Sequence, residues 1–155
     1  MNIDLDIINK IKNKFKDKKI GFTCSCFDLL HCGHCIMLKD CKSQCDKLVI
    51  GLQTDPTIDR KEKNKPVQEY IERKIMIESI KYVDEVIEYS TEAELLVILK
   101  ELKPDVRIIG TDWKGKKYTG YYLDIPMHWH ERNHNWSTSN LRKRVYKNES
   151  KKLNN

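Results

Sequence analysis

The chain has 155 residues, 39% apolar and 34% charged, and its 29 basic and 23 acidic side chains leave a net charge of +6. This size and balance suit one soluble domain around a single core. A bilayer span is excluded because no apolar run approaches the length one needs, and the opening residues Asn2, Asp4 and Asp6 lack a signal peptide's apolar centre, so a cytoplasmic protein is expected.

In chain order, Ile7, Ile8, Ile11 and Phe15 form an apolar stripe that predicts a lysine-rich helix over 5–17. An apolar run over 19–24 reads as a buried strand, and apolar positions at helical spacing place a helix over 35–41. A second strand follows at 47–52, then a basic loop over 53–68. The next helix, 70–82, is expected to carry Ile71, Ile75, Ile77 and Ile80 on one side, ahead of a strand at 85–89. Thr91 and Glu94 have the spacing of a capping box for a helix over 92–102, which Pro104 stops. Strands at 106–109 and 125–129 flank a polar loop over 110–120, and a last helix starts at Ser137 with Leu141 and Val145 on its apolar side.

Strands alternating with helices predict an α/β fold, a Rossmann-like open parallel sheet with helices on both faces. The chain divides into an N-terminal helical extension over 1–18, a main domain over 19–147 and a basic polar tail over 148–155. Ligands of such sheets bind beyond the carboxyl ends of the strands, where the strand order reverses. Neither a G-x-G-x-x-G run nor a P-loop is present, which argues against an ordinary dinucleotide site or ATPase.

Lysines gather at 10–19, 61–65, 114–117 and 143–152 and read as solvated basic surface. No aromatic residues interleave with them as on a stacking platform, so a nucleic-acid partner is not expected. All six cysteines (24, 26, 32, 35, 41 and 45) fall within one short stretch. A disulfide framework would spread over a smaller secreted chain. Cys32-x-x-Cys35 has a zinc-like spacing, but on one helix Cys35 faces away from Cys41 and Cys45. The thiols are therefore read as reduced, small core residues, and no metal ligand is assigned.

The chemistry concentrates in Ser25-Cys26-Phe27-Asp28-Leu29-Leu30-His31-Cys32-Gly33-His34. A turn joining a strand to a helix sets both imidazoles beside the helix's free N–H groups, where phosphate oxygens are best received. Gly33 leaves room for a phosphate chain against the backbone. Downstream, Arg132 precedes Ser137, Thr138 and Ser139, three hydroxyls at the start of a helix. A permanent cation beside a helix N-terminus makes a cradle for the outer phosphates of a nucleotide. Lys61 and Lys63 stand in a loop on the same side of the sheet, where they can act as an electrostatic lid, and Arg73 opens the next helix within reach.

Together these segments resemble the cytidylyltransferase family of HxGH nucleotidyltransferases, nearest the bacterial glycerol-3-phosphate cytidylyltransferases. The likeness runs from about residue 20 to 145. Cys26 through His34 resembles the family's G-T-F-D-x-x-H-x-G-H, and Lys61-Glu62-Lys63 its K-x-K loop. Arg73-Lys74 with residues 82–87 resembles the segment that buries the family's dimer contact. Gly110 through Lys116 resembles G-D-D-W-x-G-K, and Arg132 through Ser139 resembles R-T-x-G-I-S-T-T. Ser25 replaces the first glycine, Cys26 the threonine and Asn135 the later glycine. Lys81 stands where close relatives carry arginine, and Leu95 where they carry an acceptor-binding lysine.

The resemblance implies transfer of CMP from CTP to a small phosphorylated alcohol such as glycerol 3-phosphate, by a homodimer, with magnesium carried on the nucleotide. His31, His34, Lys63 and Arg132 form the implied catalytic set, with the histidines as imidazolium donors to the charge that develops on the phosphates. Cys26, Phe27, Asp112, Asn135, Trp136, Ser137, Thr138 and Ser139 complete the implied nucleotide site. Lys61, Arg73, Lys81 and Asp28 form the acceptor side, with Asp28 also able to touch the magnesium through water. Two alternatives stand beside this reading. One is adenylyl transfer from ATP to a sugar phosphate or FMN, and the other is a non-catalytic basic or zinc-bound binding module.

Overall fold

Asp4 opens the first element: its carboxylate accepts the backbone N–H groups of Asp6 and Ile7 and caps helix α1, Leu5–Lys14. The structure, a computed structural model, describes residues 3–153. The chain continues through β1 (Ile20–Ser25), α2 (Cys32–Ser43), β2 (Lys47–Gln53), α3 (Tyr70–Glu78) and β3 (Glu85–Tyr89). After these come α4 (Glu92–Leu102), β4 (Val106–Gly110), a single 3-10 turn (Thr111–Trp113), β5 (Met127–His130) and α5 (Thr138–Leu153). All strand pairings are parallel and the order is β3-β2-β1-β4-β5. The fold is the Rossmann-like α/β sheet expected.

The central strands are apolar on both faces because helices cover both. Phe22, Val49 and Ile87 meet Ile98 and Leu99 of α4 on one side, while Leu48, Ile50 and Ile108 meet Leu38 of α2 and Ile77 of α3 on the other. Thr91 and Glu94 form the expected capping box of α4, and Lys103 closes that helix in a left-handed conformation just before Pro104. The strand order reverses between β1, which runs to β2 on one side, and β4 on the other. Any ligand site is thus centred on the carboxyl end of β1.

Four expectations change. Helix α1 is part of the core rather than an extension, because Ile8, Ile11 and Phe15 pack into the same cluster as α4. Ile7 stays 42% exposed, so the buried stripe follows the 8, 11, 15 spacing alone. On α3 the inward positions are Tyr70, Arg73 and Ile77, with Ile80 packed just beyond the helix, which leaves Ile71 and Ile75 in solvent; the arginine takes the place of an apolar side chain because its guanidinium ties other segments together. At the other end α5 continues through Leu153, so most of the supposed tail is helical, its last two residues lying outside the described region. Among the described residues no helix is long and apolar enough to cross a membrane.

Ile8 is fully buried against α4. Ile8→Ala is expected to lower the unfolding free energy by about 2–5 kcal/mol in urea titrations, the range for large-to-small core changes. A loss below about 0.5 kcal/mol, as at an ordinary surface site, would place α1 outside the cooperative unit.

Candidate active site

The turn between β1 and α2 is strained and clamped. Phe27 and Leu29 have φ of +48° and +49°, a conformation that costs a non-glycine residue of order 1–3 kcal/mol and persists only where neighbours impose it. Asp28, 3% exposed, accepts the backbone N–H groups of Val67 and Gln68 at 3.0 Å, and the Gln68 side chain accepts from Leu29 N at 2.7 Å. Arg73, 2% exposed, donates from Nη1 to the carbonyls of Cys26 (2.7 Å) and Gln53 (2.6 Å), from Nη2 to Thr54 and from Nε to Gln68. This explains the charge at an inward position of α3: the guanidinium ties the ends of β1 and β2 to the start of α3. Arg73 and Asp28 were expected on the acceptor side, but their polar atoms are consumed in building the turn.

His31 is the N-cap of α2. Its Nδ1 accepts from Gly33 N at 3.1 Å, and Nδ1 of His34 reaches back to accept from His31 N at 3.4 Å, a capping box made of two imidazoles. The helix therefore starts at Cys32, earlier than its apolar spacing suggested, and carries His34 in its first turn. The rings stack with centroids 3.9 Å apart, and Phe27 packs beside His34 at 5.3 Å. A ring nitrogen that accepts an N–H holds no proton, so in each neutral ring the proton sits on Nε2.

Electrostatics keep both rings neutral. Burial, the His31 ring and Arg132 lower the His34 pKa from its ordinary 6.5 to about 3. Burial, then the charges of Arg132, His134 and Arg144, lower that of His31. The imidazolium pair read from the sequence is thus corrected to a pair of neutral Nε2–H donors. Two adjacent positive rings would repel each other and lose their cap bonds.

The second wall comes from the segment between β5 and α5. Ser137 caps α5, its hydroxyl accepting from Asn140 N at 3.1 Å. Thr138, the first residue of that helix, donates to the Asp28 carbonyl and stands 3.4 Å from His31 Nε2. The tips of α2 and α5 therefore meet at the histidines. His134 lies across Gly33: a Cβ added there would come within 2.8 Å of its Cε1, and both its ring nitrogens are buried without a partner. The room that Gly33 was expected to leave for phosphate is filled by this ring.

A cavity of about 540 Å³ opens at the carboxyl end of β1. Of the residues expected in the site, Cys26, Asp28, His34, Lys63, Asp112, Arg132, Thr138 and Ser139 line it. His31, Asn135, Trp136 and Ser137 line a neighbouring cavity of about 400 Å³, so the stacked histidines separate the two. Phe27 is buried, and Lys61 is exposed and borders neither cavity. Lys81 lies before β3, at the amino ends of the strands, and is removed from the site. Its ammonium rests on the Tyr82 ring instead.

Sequence reasoning missed His130, Arg60 and Arg107. His130 lines the larger cavity and shares one oxygen of Asp40 with His128, at 2.7 and 3.0 Å, which ties β5 to α2. Burial alone would raise the Asp40 carboxyl, but these two hydrogen bonds hold it below its usual value. The signal for Arg107 was its place inside an otherwise apolar strand.

The model of the cytidylyltransferase-like family matches residues 22–144, and the chain belongs to that family. It is 41% identical over 115 residues to the bifunctional protein HldE of Paramagnetospirillum magneticum, covering 74% of this chain and 23% of that protein. With the protein of the same name from Campylobacter fetus it shares 38% identity over 104 residues, 66% of this chain and 22% of the other. The chain thus spans about a quarter of the length of these curated relatives. The solved lipopolysaccharide core biosynthesis protein from Thermoplasma volcanium superimposes with a TM-score of 0.60 at 25% identity, over 77% of this chain and 99% of that one. A pantoate-beta-alanine ligase from Francisella tularensis shares the fold, with a TM-score of 0.60 at 16% identity over 91% and 72% of the two chains.

A ring held far below its ordinary pKa stays neutral while folded and takes up a proton on unfolding. The stability this confers is complete above about pH 6.5 and falls as pH drops toward about 3. In the free protein the His34 Cε1–H resonance should not titrate between pH 8 and about pH 5, and His34→Gln should flatten the acid dependence of the urea midpoint. A midpoint of titration near 6.5 for His34 would contradict the neutral pair.

Proposed function

We propose that this protein is a cytoplasmic nucleotidyltransferase that moves CMP from CTP to a small phosphorylated alcohol, glycerol 3-phosphate or a similar polyol phosphate. One observation carries the reading: His31 Nε2 meets Thr138 at the start of α5, so two helix N-termini and two imidazole donors converge at the switch point of the sheet. In the reaction an acceptor phosphate oxygen attacks the α-phosphorus of the nucleotide. A new P–O bond forms, the bond to the bridging oxygen breaks, and pyrophosphate leaves with its electron pair.

No protein nucleophile is required; positioning and charge stabilisation do the chemistry. The Nε2–H groups of His31 and His34 serve as neutral donors, while Lys63 and Arg132 supply positive charge from the cavity wall. For any of these to work on a phosphate lying along the turn, the His134 ring must leave Gly33. Magnesium would neutralise part of the triphosphate charge. Asp28 is committed to backbone N–H groups and Glu92 to Arg60, and among the described residues no three ligating side chains gather, so the donor set fits an ion held by the nucleotide itself. Asp112 is a carboxylate on the same cavity wall and would meet such an ion only through water.

The assembly in this reading is a homodimer. Ile71 and Ile75, 54% and 58% exposed on α3, supply apolar surface next to the segment that resembles the family's dimer contact. A second reading, adenylyl transfer from ATP to a sugar phosphate, is favoured by the likeness to a solved protein named for lipopolysaccharide core biosynthesis. Pyrophosphate release measured with each nucleotide against a panel of acceptor phosphates separates the two readings.

His34→Ala should lower turnover by roughly 10²–10³, the usual effect of losing one preorganised donor. Near-wild-type turnover would remove the histidine turn from the chemistry. Lys63→Ala should raise the nucleotide KM, whereas Lys61→Ala, outside the cavity, should leave both KM values within about twofold. A larger effect at Lys61 than at Lys63 would show that the loop closes in a different register over substrate.

A further inference from the structure

Part of the large cavity lies on the α1/α4 side of the sheet, away from the histidines. Val106 and Ile108 belong to the cluster on the α2 side, so Arg107 between them points to the opposite face, where Cys24, Tyr89 and Glu92 also border the cavity. Arg107 is 3% exposed. Its guanidinium donates from Nη1 to the Thr119 carbonyl, has the Cys24 sulfur as a further hydrogen-bond partner and rests 5.2 Å from the Tyr118 ring, while Nε is buried without a partner. Among the described residues no carboxylate pairs with it. Glu92, on the same wall, is already taken by Arg60 at 3.0 Å and by the Thr119 hydroxyl.

A buried guanidinium with most of its donors unused and no counter-ion is costly unless an anion completes it. The planar fork suits an oxyanion of phosphate geometry, and the open cavity gives one access. Arg60, whose Nε is also buried and unpartnered, borders the same cavity but is neutralised by Glu92. Among the described residues Arg107 is the remaining buried cation on this side without a carboxylate, Lys117 on the same cavity being exposed to solvent. We propose that Arg107 is the receptor for the phosphate oxyanion of the acceptor, and so sets acceptor specificity from the side of the sheet opposite the histidine turn. The inference rests on the site being one of nucleotidyl transfer.

The test follows the Arg107 Nε–H and the His34 ring resonances of the whole wild-type protein by NMR. The α,β-methylene analogues of CTP and ATP are added first, then inorganic phosphate or glycerol 3-phosphate at saturating analogue. The account expects an analogue to move His34, and each phosphate probe then to shift and protect the Arg107 Nε–H saturably. Analogue binding with a silent Arg107 would overturn this inference and leave the proposed function standing. A His34 ring unmoved by either analogue would overturn the proposed function, whatever Arg107 does. Arg107→Met should weaken probe binding at least about tenfold with analogue affinity within about twofold, and Arg107→Lys should recover part of it. Equal losses for probe and analogue would reduce Arg107 to a prop for the loop at Thr119. Should the methionine variant fail to fold, the wild-type titration decides alone.

Discussion

The histidine capping box at the start of α2 governs the site. Two imidazoles use their Nδ1 atoms to satisfy helix-terminal N–H groups, which fixes ring orientation, tautomer and charge together. What remains is an Nε2–H on each ring, that of His31 facing the Thr138 hydroxyl, as a donor oriented before any substrate arrives. Such preorganisation separates a phosphate-binding helix end from a reactive one, because the donors need no reorientation as charge develops. The constraint reaches back into the fold. The turn that presents His31 contains two left-handed non-glycine residues and depends on Arg73 and Asp28 to hold it. A buried charge in α3, far along the sequence, is thus part of how the histidines are aimed.

Much of the architecture was legible in the sequence because its signals are local. The three interior strands appear as largely apolar runs, Thr91 and Glu94 announce α4, and the spacing of the two histidines marks the turn. What the sequence hid depends on contacts between distant segments. Ile71 and Ile75 look like a core stripe until Arg73 is seen to occupy the inward position with its hydrogen bonds satisfied by carbonyls of three other segments. The protonation of His31 and His34 depends on their stacking and on Arg132, a hundred residues away in sequence. Lys81 sits on a helix-to-strand connection whose end of the sheet only the topology assigns.

The cationic groups divide by side of the sheet. Arg132 borders the cavity near the histidine turn, where its charge acts on both rings, while Arg107 is sunk in the opposite wall. Leu95, which stands where the resembling family has a lysine, is buried in the core beside that wall. A buried positive charge stands instead on β4, at Arg107.

Crystals grown with the α,β-methylene analogues of CTP and ATP would test the central claim most directly. The account predicts α- or β-phosphate oxygens within hydrogen-bond distance of Nε2 of both His31 and His34, with the Nδ1 cap bonds intact and the His134 ring displaced from Gly33. A triphosphate bound away from the two rings, or rings turned so that Nδ1 meets the phosphates, would contradict it.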